Sequence, residues 1–91
     1  MSARLVIPGV LRPSAGGLRE VEVEGATLGE VLDGLATRLP LLARRLRDER
    51  GQLREHVLVY VDGECVRGAT ALETPVPEGA EVFVAPAVSG G

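Results

Sequence analysis

One amphipathic segment, residues 27–39, constrains the fold of this chain more than any other feature. Its apolar residues recur at the spacing of a single helix face. They are Leu28, Val31, Leu32, Leu35, Ala36 and Leu39. Thr27 and Glu30 have the spacing of a capping box, and Pro40 is expected to stop the helix. The sequence therefore predicts one helix of about three turns whose whole apolar stripe lies in a core, and a sheet is needed to complete that core.

Two segments before this helix have the pattern of β-strands. Residues 3–8 contain the β-branched pair Val6 and Ile7 and end at a Pro-Gly step, which suits a central strand. Residues 18–24 alternate apolar residues with charged ones, and inward valines with outward glutamates are typical of a solvated edge strand. A turn-rich stretch joins the two segments, so we predict a β-hairpin with a long loop.

The chain after the helix predicts a connection and two more strands. A short helical pattern covers residues 41–47, and the charged run from Arg44 to Glu55 predicts an exposed, mobile connection. Residues 56–61 are apolar on both faces, as in an interior strand or a strand that bears a partner-binding surface. A short strand at residues 64–67 is expected after a tight turn at Asp62-Gly63.

The last predicted strand, residues 80–85, places Val82 and Val84 in the core if it follows the period of two, with Phe83 and Ala85 facing outward. The order strand, strand, helix, strand, short strand, strand predicts an α+β roll, in which a mixed sheet of four to five strands packs on one main helix. We expect one domain at residues 1–86. If the last strand lies centrally beside the first, a flexible tail at residues 87–91 leaves from the middle of the sheet.

The composition argues against several functions. A net charge of −3 and only two aromatic residues disfavour nucleic acid as a partner. One cysteine and one histidine supply too few ligands for a metal site and no internal disulfide. No apolar run has the length of a membrane span or a signal peptide, so we expect a cytoplasmic protein without a membrane partner. Carboxylates on strand rims and turns, and no glycine-rich phosphate loop, disfavour an autonomous enzyme.

The final stretch, Pro86-Ala87-Val88-Ser89-Gly90-Gly91, is unusual for the end of a domain. Glycine loses more conformational entropy on ordering than any other residue, so a Gly-Gly end makes a poor structural element. Extended at about 3.3 Å per residue, residues 87–91 would carry a terminal carboxylate roughly 16 Å away and into a channel too narrow for larger side chains. The dipeptide alone leaves open a disordered end or a cloning remnant.

The order of elements resembles the ubiquitin-like β-grasp fold, and residues 82–91 resemble the end of the bacterial sulfur-carrier proteins of the ThiS and MoaD family. Residues 7–17 and the connection from Leu46 to Leu53 are closer still to one branch, the CysO-type carriers of actinobacterial cysteine synthesis. The likeness covers essentially the whole chain. Ser89 stands where alanine is more usual in the family.

The resemblance implies a sulfur carrier rather than an enzyme. The terminal carboxylate of Gly91 would be adenylated and then converted to a thiocarboxylate that donates sulfur, and Gly90, Ser89 and Val88 would give the tail its clearance. The carrier would bind no cofactor, since ATP is used by the activating partner. That partner would bind to an exposed apolar patch. The candidate residues of this patch are Leu58, Tyr60, Phe83, Ala85 and Pro86.

The resemblance also implies three kinds of partner. The first is an adenylyltransferase/sulfurtransferase like the ubiquitin-activating E1 enzymes, of the MoeB, ThiF or MoeZ type. The second is a sulfur-accepting synthase, for which an O-phosphoserine-dependent cysteine synthase is preferred over a thiazole-synthase-like or molybdopterin synthase enzyme or a thiosugar-forming enzyme. The third is a metalloprotease that trims the adduct. A ubiquitin-like modifier and a plain β-grasp adaptor remain alternatives.

Two features of the sequence are open to more than one interpretation. Cys65 fits a small buried hydrophobic position, although a covalent link to a partner is also open. Arg44, Arg45 and Arg47 fit a solvated face, although they also fit a basic patch for an acidic partner.

Overall fold

The structure is a computed structural model and describes residues 1–86. Its sheet has five strands in the order β2-β1-β5-β3-β4. The strands are β1 at Ser2–Val6, β2 at Glu20–Glu24, β3 at Val57–Val61, β4 at Glu64–Val66 and β5 at Glu81–Pro86. The helices are α1 at Leu28–Arg38 and α2 at Pro40–Leu46, with 3₁₀ helices at Gly9–Ala15 and Ala71–Glu73. The predicted α+β roll with a mixed sheet on one main helix is confirmed.

Strand β5 lies at the centre of the sheet. It pairs in parallel with β1, where Leu5 is opposite Val82, and antiparallel with β3, where Val59 is opposite Val84. Residues 81–83 have a paired neighbour on the β1 side, and the pairing with β3 continues to Pro86, so backbone groups in the buried part of the strand have partners. The predicted central position of the last strand is confirmed, so the chain reaches Pro86 in the middle of the sheet. The predicted flexible tail at residues 87–91 lies outside the described residues.

Strand β2 forms one edge of the sheet, as predicted. Its valines, Val21 and Val23, are buried against the helix layer, whereas its three glutamates are exposed. The hairpin loop between β1 and β2 is more ordered than a plain turn, because Gly9–Ala15 forms a 3₁₀ helix that buries Leu11 and Ala15. The sequence indicated turns in this stretch, but it did not show that Leu11 and Ala15 would be buried.

Helix α1 begins with the predicted capping box. The Thr27 hydroxyl accepts a hydrogen bond from the backbone N–H of Glu30 at 3.2 Å, and the Glu30 carboxylate accepts one from the backbone N–H of Ala26 at 2.9 Å. These bonds satisfy two donors that would otherwise have no partner within the helix. The first four residues of the predicted stripe are fully buried. They are Leu28, Val31, Leu32 and Leu35.

One member of that stripe was predicted wrongly. Ala36 is exposed. At 3.6 residues per turn it lies about 80° around the helix from Leu28, at the outer limit of the arc that faces the sheet. Leu39 caps the C-terminal end of α1 and packs half-buried against the core. The core arc of α1 is therefore narrower than the hydrophobic pattern suggested.

Two glycines allow α1 to lie close to its neighbours. A Cβ atom at Gly34 would stand 2.8 Å from Cγ1 of Val23 on β2, and one at Gly29 would stand 3.1 Å from the carbonyl oxygen of Leu72. Each glycine lowers intrinsic helix stability by up to about 1 kcal/mol relative to alanine. A larger side chain at either position would push α1 away from β2 or from the Ala71–Glu73 segment, which explains why glycine occurs there despite its lower helix propensity.

Pro40 ends α1 as predicted, but it also begins α2. Proline is well tolerated at the first position of a helix because the N–H that it lacks would have no partner there. Helix α2 confirms the helical pattern predicted at residues 41–47, beginning one residue earlier, and it buries Leu42, Ala43 and Leu46. The core therefore extends beyond the main helix.

The connection after α2 differs from the exposed segment that was predicted. Arg47 Nε donates to the carbonyl oxygen of Gly51 at 2.6 Å, and its Nη1 pairs with Asp33 Oδ1 of α1 at 2.7 Å. The Asp48 carboxylate accepts from two backbone N–H groups of the same turn. Leu53 packs against the core. These polar contacts fix the connection to α1, which composition alone does not reveal.

None of the helices within residues 1–86 combines the length and the apolar content that crossing a lipid bilayer requires.

The capping box provides a test of this fold. Replacing Thr27 with Ala removes the hydroxyl that accepts from Glu30, and we expect the free energy of unfolding to fall by about 1 kcal/mol. Urea unfolding measures this change. Thr37→Ala is the matched control, since Thr37 is exposed inside the same helix, and it should alter stability by less than about 0.5 kcal/mol. Equal effects at the two positions would contradict the assigned cap.

Candidate functional site

The last strand presents different residues on its two faces. Val82 and Val84 point into the core and are completely buried, whereas Phe83 and Ala85 lie on the opposite face and are half-buried. This second face, which we call the open face, is the side of the sheet away from α1. The predicted inward and outward assignments for β5 are confirmed.

The strand register brings four of the predicted partner-binding residues together. Tyr60 of β3 is opposite Phe83, and Leu58 is opposite Ala85. Val6 of β1 is opposite Phe83 on its other side. We call these five residues the open-face patch. Val6 was not among the predicted site residues, because its place beside Phe83 depends on the pairing of β1 with β5, which the pattern within β1 does not specify.

The aromatic pair forms the middle of the open-face patch. The ring centroids of Tyr60 and Phe83 are 6.2 Å apart, and the ring planes are tilted by 47°. This geometry lies within the range that aromatic side chains prefer. The rings cover part of each other, so the patch is half-buried and less exposed than the sequence suggested, but helix α1 does not cover it.

Charged side chains border the open-face patch on the β1 side. Arg4 Nη2 pairs with Glu81 Oε2 at 3.1 Å, and Arg4 Nε lies 3.9 Å from Glu20 Oε2. Such exposed ion pairs stabilise a fold by only about 0–1 kcal/mol. An apolar centre with a polar rim is the usual composition of a protein-binding surface.

Pro86 does not belong to this patch. It is opposite Val57 in the register, and the alternation of the strand places it on the face opposite to Ala85. Pro86 and Val57 instead line a groove together with Arg44, Arg45, Arg54 and His56. We call this the basic groove. The predicted partner-binding residues therefore lie on two sides of the end of β5.

The three predicted arginines do not form one cluster. Arg44 and Arg45 are exposed on α2 and line the basic groove, whereas Arg47 points away to Asp33. The third arginine that lines the basic groove is Arg54. Its Nε donates to the carbonyl oxygen of Arg44 at 2.9 Å. Arg54 and His56 were missed as site residues, because only the folded connection brings them next to α2.

Cys65 is exposed, and its predicted burial is wrong. It is opposite Tyr60 on β4, a strand of three residues at the edge of the sheet. The open face is not covered by α1, so a residue there stays accessible even when its strand is paired. The remaining predicted site residues, Val88, Ser89, Gly90 and Gly91, lie outside the described residues.

Within residues 1–86, no three His, Cys, Asp or Glu side chains are grouped in a way that could hold a metal ion.

The chain is similar to proteins of known family. The sequence model of the ThiS family matches residues 5–91. The chain is 38% identical to sulfur carrier protein CysO of Mycobacterium tuberculosis over an alignment of 93 positions that covers 100% of both proteins. It is 39% identical over 72 residues to small archaeal modifier protein 1 of Haloferax volcanii, covering 78% of each.

Solved structures agree with these sequence matches. The crystal structure of Mycobacterium tuberculosis CysO superposes with a TM-score of 0.85 at 36% identity, covering 94% of this chain and 99% of that one. A chain of the Amycolatopsis orientalis BexX/CysO complex superposes with a TM-score of 0.82 at 37% identity, covering 98% and 99%. The ubiquitin-like β-grasp fold that the resemblance implied is confirmed.

The position of Cys65 on the open face can be tested directly. Because its side chain is exposed in the native fold, we expect a thiol reagent such as iodoacetamide to label it without denaturant, at a rate within about tenfold of the rate in unfolded chain. Mass spectrometry over time measures both rates. Labelling that requires unfolding would contradict the placement of β4.

Proposed function

The chain belongs to the ThiS family, and from this membership we propose that it carries sulfur as a thiocarboxylate on its C-terminal glycine, Gly91. It is a small ubiquitin-like carrier rather than an enzyme, as its sulfur-carrier relatives are. One observation carries the proposal: the match to sulfur carrier protein CysO covers 100% of both chains. The family match also extends to Gly91.

The chemistry follows from the reacting group. An α-carboxylate has a pKa of about 3.5, so it is an anion at neutral pH and a poor electrophile. In the proposed reaction its oxygen attacks the α-phosphorus of ATP, pyrophosphate leaves, and a mixed anhydride with AMP forms. Hydrosulfide then attacks the acyl carbon, the bond from this carbon to the phosphate oxygen breaks, AMP leaves with that oxygen, and a thiocarboxylate remains. ATP and the catalytic groups belong to the activating partner, and the carrier binds no cofactor.

The central position of β5 supports this role. Strand β5 pairs with β1 at residues 81–83 and with β3 as far as Pro86, so Pro86 is held in the sheet immediately before residues 87–91. At about 3.3 Å per residue they span roughly 16 Å. Val88 and Ser89 are small, and Gly90 has no side chain. These residues would let the carboxylate of Gly91 enter a narrow active site.

The open-face patch supports a protein-binding role beside the tail. Leu58, Tyr60, Phe83 and Ala85, together with Val6, form an apolar surface with a charged rim. We propose that an activating enzyme of the MoeB, ThiF or MoeZ type binds there. A relative from Amycolatopsis orientalis is known in a crystal structure of a BexX/CysO complex, which supports the idea that such carriers act while bound to partner proteins.

We further propose that the sulfur serves cysteine synthesis from O-phosphoserine, with a dedicated synthase as acceptor and a metalloprotease that trims the product from the carrier. The likeness to CysO in sequence and structure supports this client. The same carrier chemistry could serve molybdopterin, thiamine thiazole or thiosugar synthesis. Supplying thiocarboxylated chain to each acceptor enzyme in turn distinguishes these clients.

A second candidate function is protein modification. The chain is 39% identical over 72 residues to small archaeal modifier protein 1, and the same adenylate could react with a lysine amine instead of sulfur. Isopeptide adducts of Gly91 in a cell extract would favour the modifier. Thiocarboxylate without such adducts would favour the carrier.

The proposed chemistry predicts a defined change in mass. Incubated with an activating enzyme, ATP and a sulfur source, the chain should gain about 16 Da, because sulfur replaces a terminal oxygen. Deleting Gly91, or adding one residue after it, should abolish this gain. An unchanged thermal unfolding midpoint shows that either variant still folds. A modified species that persists without Gly91 would contradict the proposal.

The open-face patch predicts that a substitution in the patch weakens partner binding while the reacting tail is unchanged. Phe83→Glu places a charge at the centre of the patch and removes an aromatic contact, so the KM for adenylation should rise about tenfold or more. Leu18→Glu is the control, because Leu18 is an exposed apolar residue outside the patch. Steady-state adenylation kinetics measure both variants. A KM for Phe83→Glu equal to that of the control would remove the patch from the binding surface.

A further inference from the structure

The basic groove is a concave site on the helix side of Pro86. It encloses about 290 Å³. Its apolar part is formed by Val57 and Pro86 of the sheet, together with Leu11 and Leu46. Arg44, Arg45 and Arg54 supply its charge. The site thus combines an apolar floor with a cationic rim directly beside the last described residue.

The charge of the basic groove is not balanced from within. None of its lining residues carries a carboxylate. The ion pairs found among residues 1–86 do not include Arg44, Arg45 or Arg54. Arg47 shows the contrast, because it points out of the groove and is paired with Asp33. Although the net charge of the chain is −3, three arginines line this groove together.

The groove is also partly preorganised. The hydrogen bond from Arg54 Nε to the carbonyl oxygen of Arg44 fixes the connection against the last turn of α2. Arg44 and Arg45 follow each other on the exposed side of α2, whose other side is held by the buried Leu42 and Leu46. Guanidinium groups suit such a site, since their planar donors match carboxylates.

The length of residues 87–91 limits which partner can reach this groove. Residues 87–91 span at most roughly 16 Å beyond Pro86. An enzyme that acts on the carboxylate of Gly91 must therefore approach Pro86 to within that distance, which brings the basic groove within reach of the surface around its active-site entrance. This step rests on the proposed function.

We propose that the basic groove receives an acidic segment of the activating enzyme, with carboxylates facing Arg44 and Arg45 and an apolar side chain against Val57 and Pro86. Charge complementarity of this kind speeds association and fixes orientation more than it adds affinity. The open-face patch and the basic groove would then hold the base of the tail from opposite faces of the sheet.

Charge reversal tests the proposal. In separate variants, Arg44→Glu and Arg45→Glu should each raise the KM for adenylation about fivefold at low salt, as expected for losing one exposed pair and adding a repulsion. The turnover number should change less than about twofold. Because salt screens exposed charges, the defect should shrink to about twofold or less between about 0.05 M and about 0.5 M salt.

Two further variants separate local charge from other effects. Arg45→Lys keeps the charge but loses the planar pair of donors, so its KM should rise less than that of Arg45→Glu and stay within about threefold of the wild-type KM. Arg50→Glu makes the same change in net charge on the exposed connection outside the groove, and it should have no effect beyond about 1.5-fold. Thermal unfolding checks that every variant folds.

Each outcome decides between the two proposals. If the wild-type chain is adenylated but Arg44→Glu and Arg45→Glu behave like Arg50→Glu at every salt concentration, the groove assignment is overturned and the carrier function stands. Variants that alter the oligomeric state without raising KM assign the groove to a second copy of the chain and also overturn it. If the wild-type chain forms no adenylate, the proposed function itself fails.

Discussion

The structure depends most on the parallel pairing of β1 with β5. Leu5 opposite Val82 and Val6 opposite Phe83 join the first strand of the chain to the last. This pairing closes the two halves of the sheet into one, because β2 attaches only to β1 and β4 attaches only to β3. Without it the buried faces of the two halves would not meet under α1, and Pro86 would lie at an edge rather than at the centre.

The end of β5 illustrates how the two-residue period of a strand can assign function. Ala85 and Pro86 are neighbours in sequence, yet one belongs to the open-face patch and the other lines the basic groove. The two surfaces differ in character, since the first is apolar with an aromatic pair and the second has three arginines. A partner that surrounded the end of β5 would therefore contact two chemically different surfaces, which would give more selectivity than either one could provide.

The sequence was sufficient for the elements whose pattern is local. The cap at Thr27, the alternation of β2 and the inward valines of β5 follow from periodicity and capping chemistry alone. It was insufficient where the environment is set by another element. Ala36 is exposed because the sheet covers only part of α1, and Cys65 is exposed because α1 covers only one face of the sheet. Arg54 joins the basic groove through a hydrogen bond to α2 that no local pattern encodes.

The pairing of β1 with β5 also has a consequence for the life of the chain in the cell. Ribosomes make a protein from its N-terminus, so β1 emerges first and must wait for β5 before its second side is paired, and β3 waits as well. Long-range pairing of this kind is slow to form and leaves strand edges open in the meantime. A chain cut short before β5 would expose both edges and would lack the tail. Aggregation or proteolysis of such fragments would therefore remove chains that lack residues 87–91.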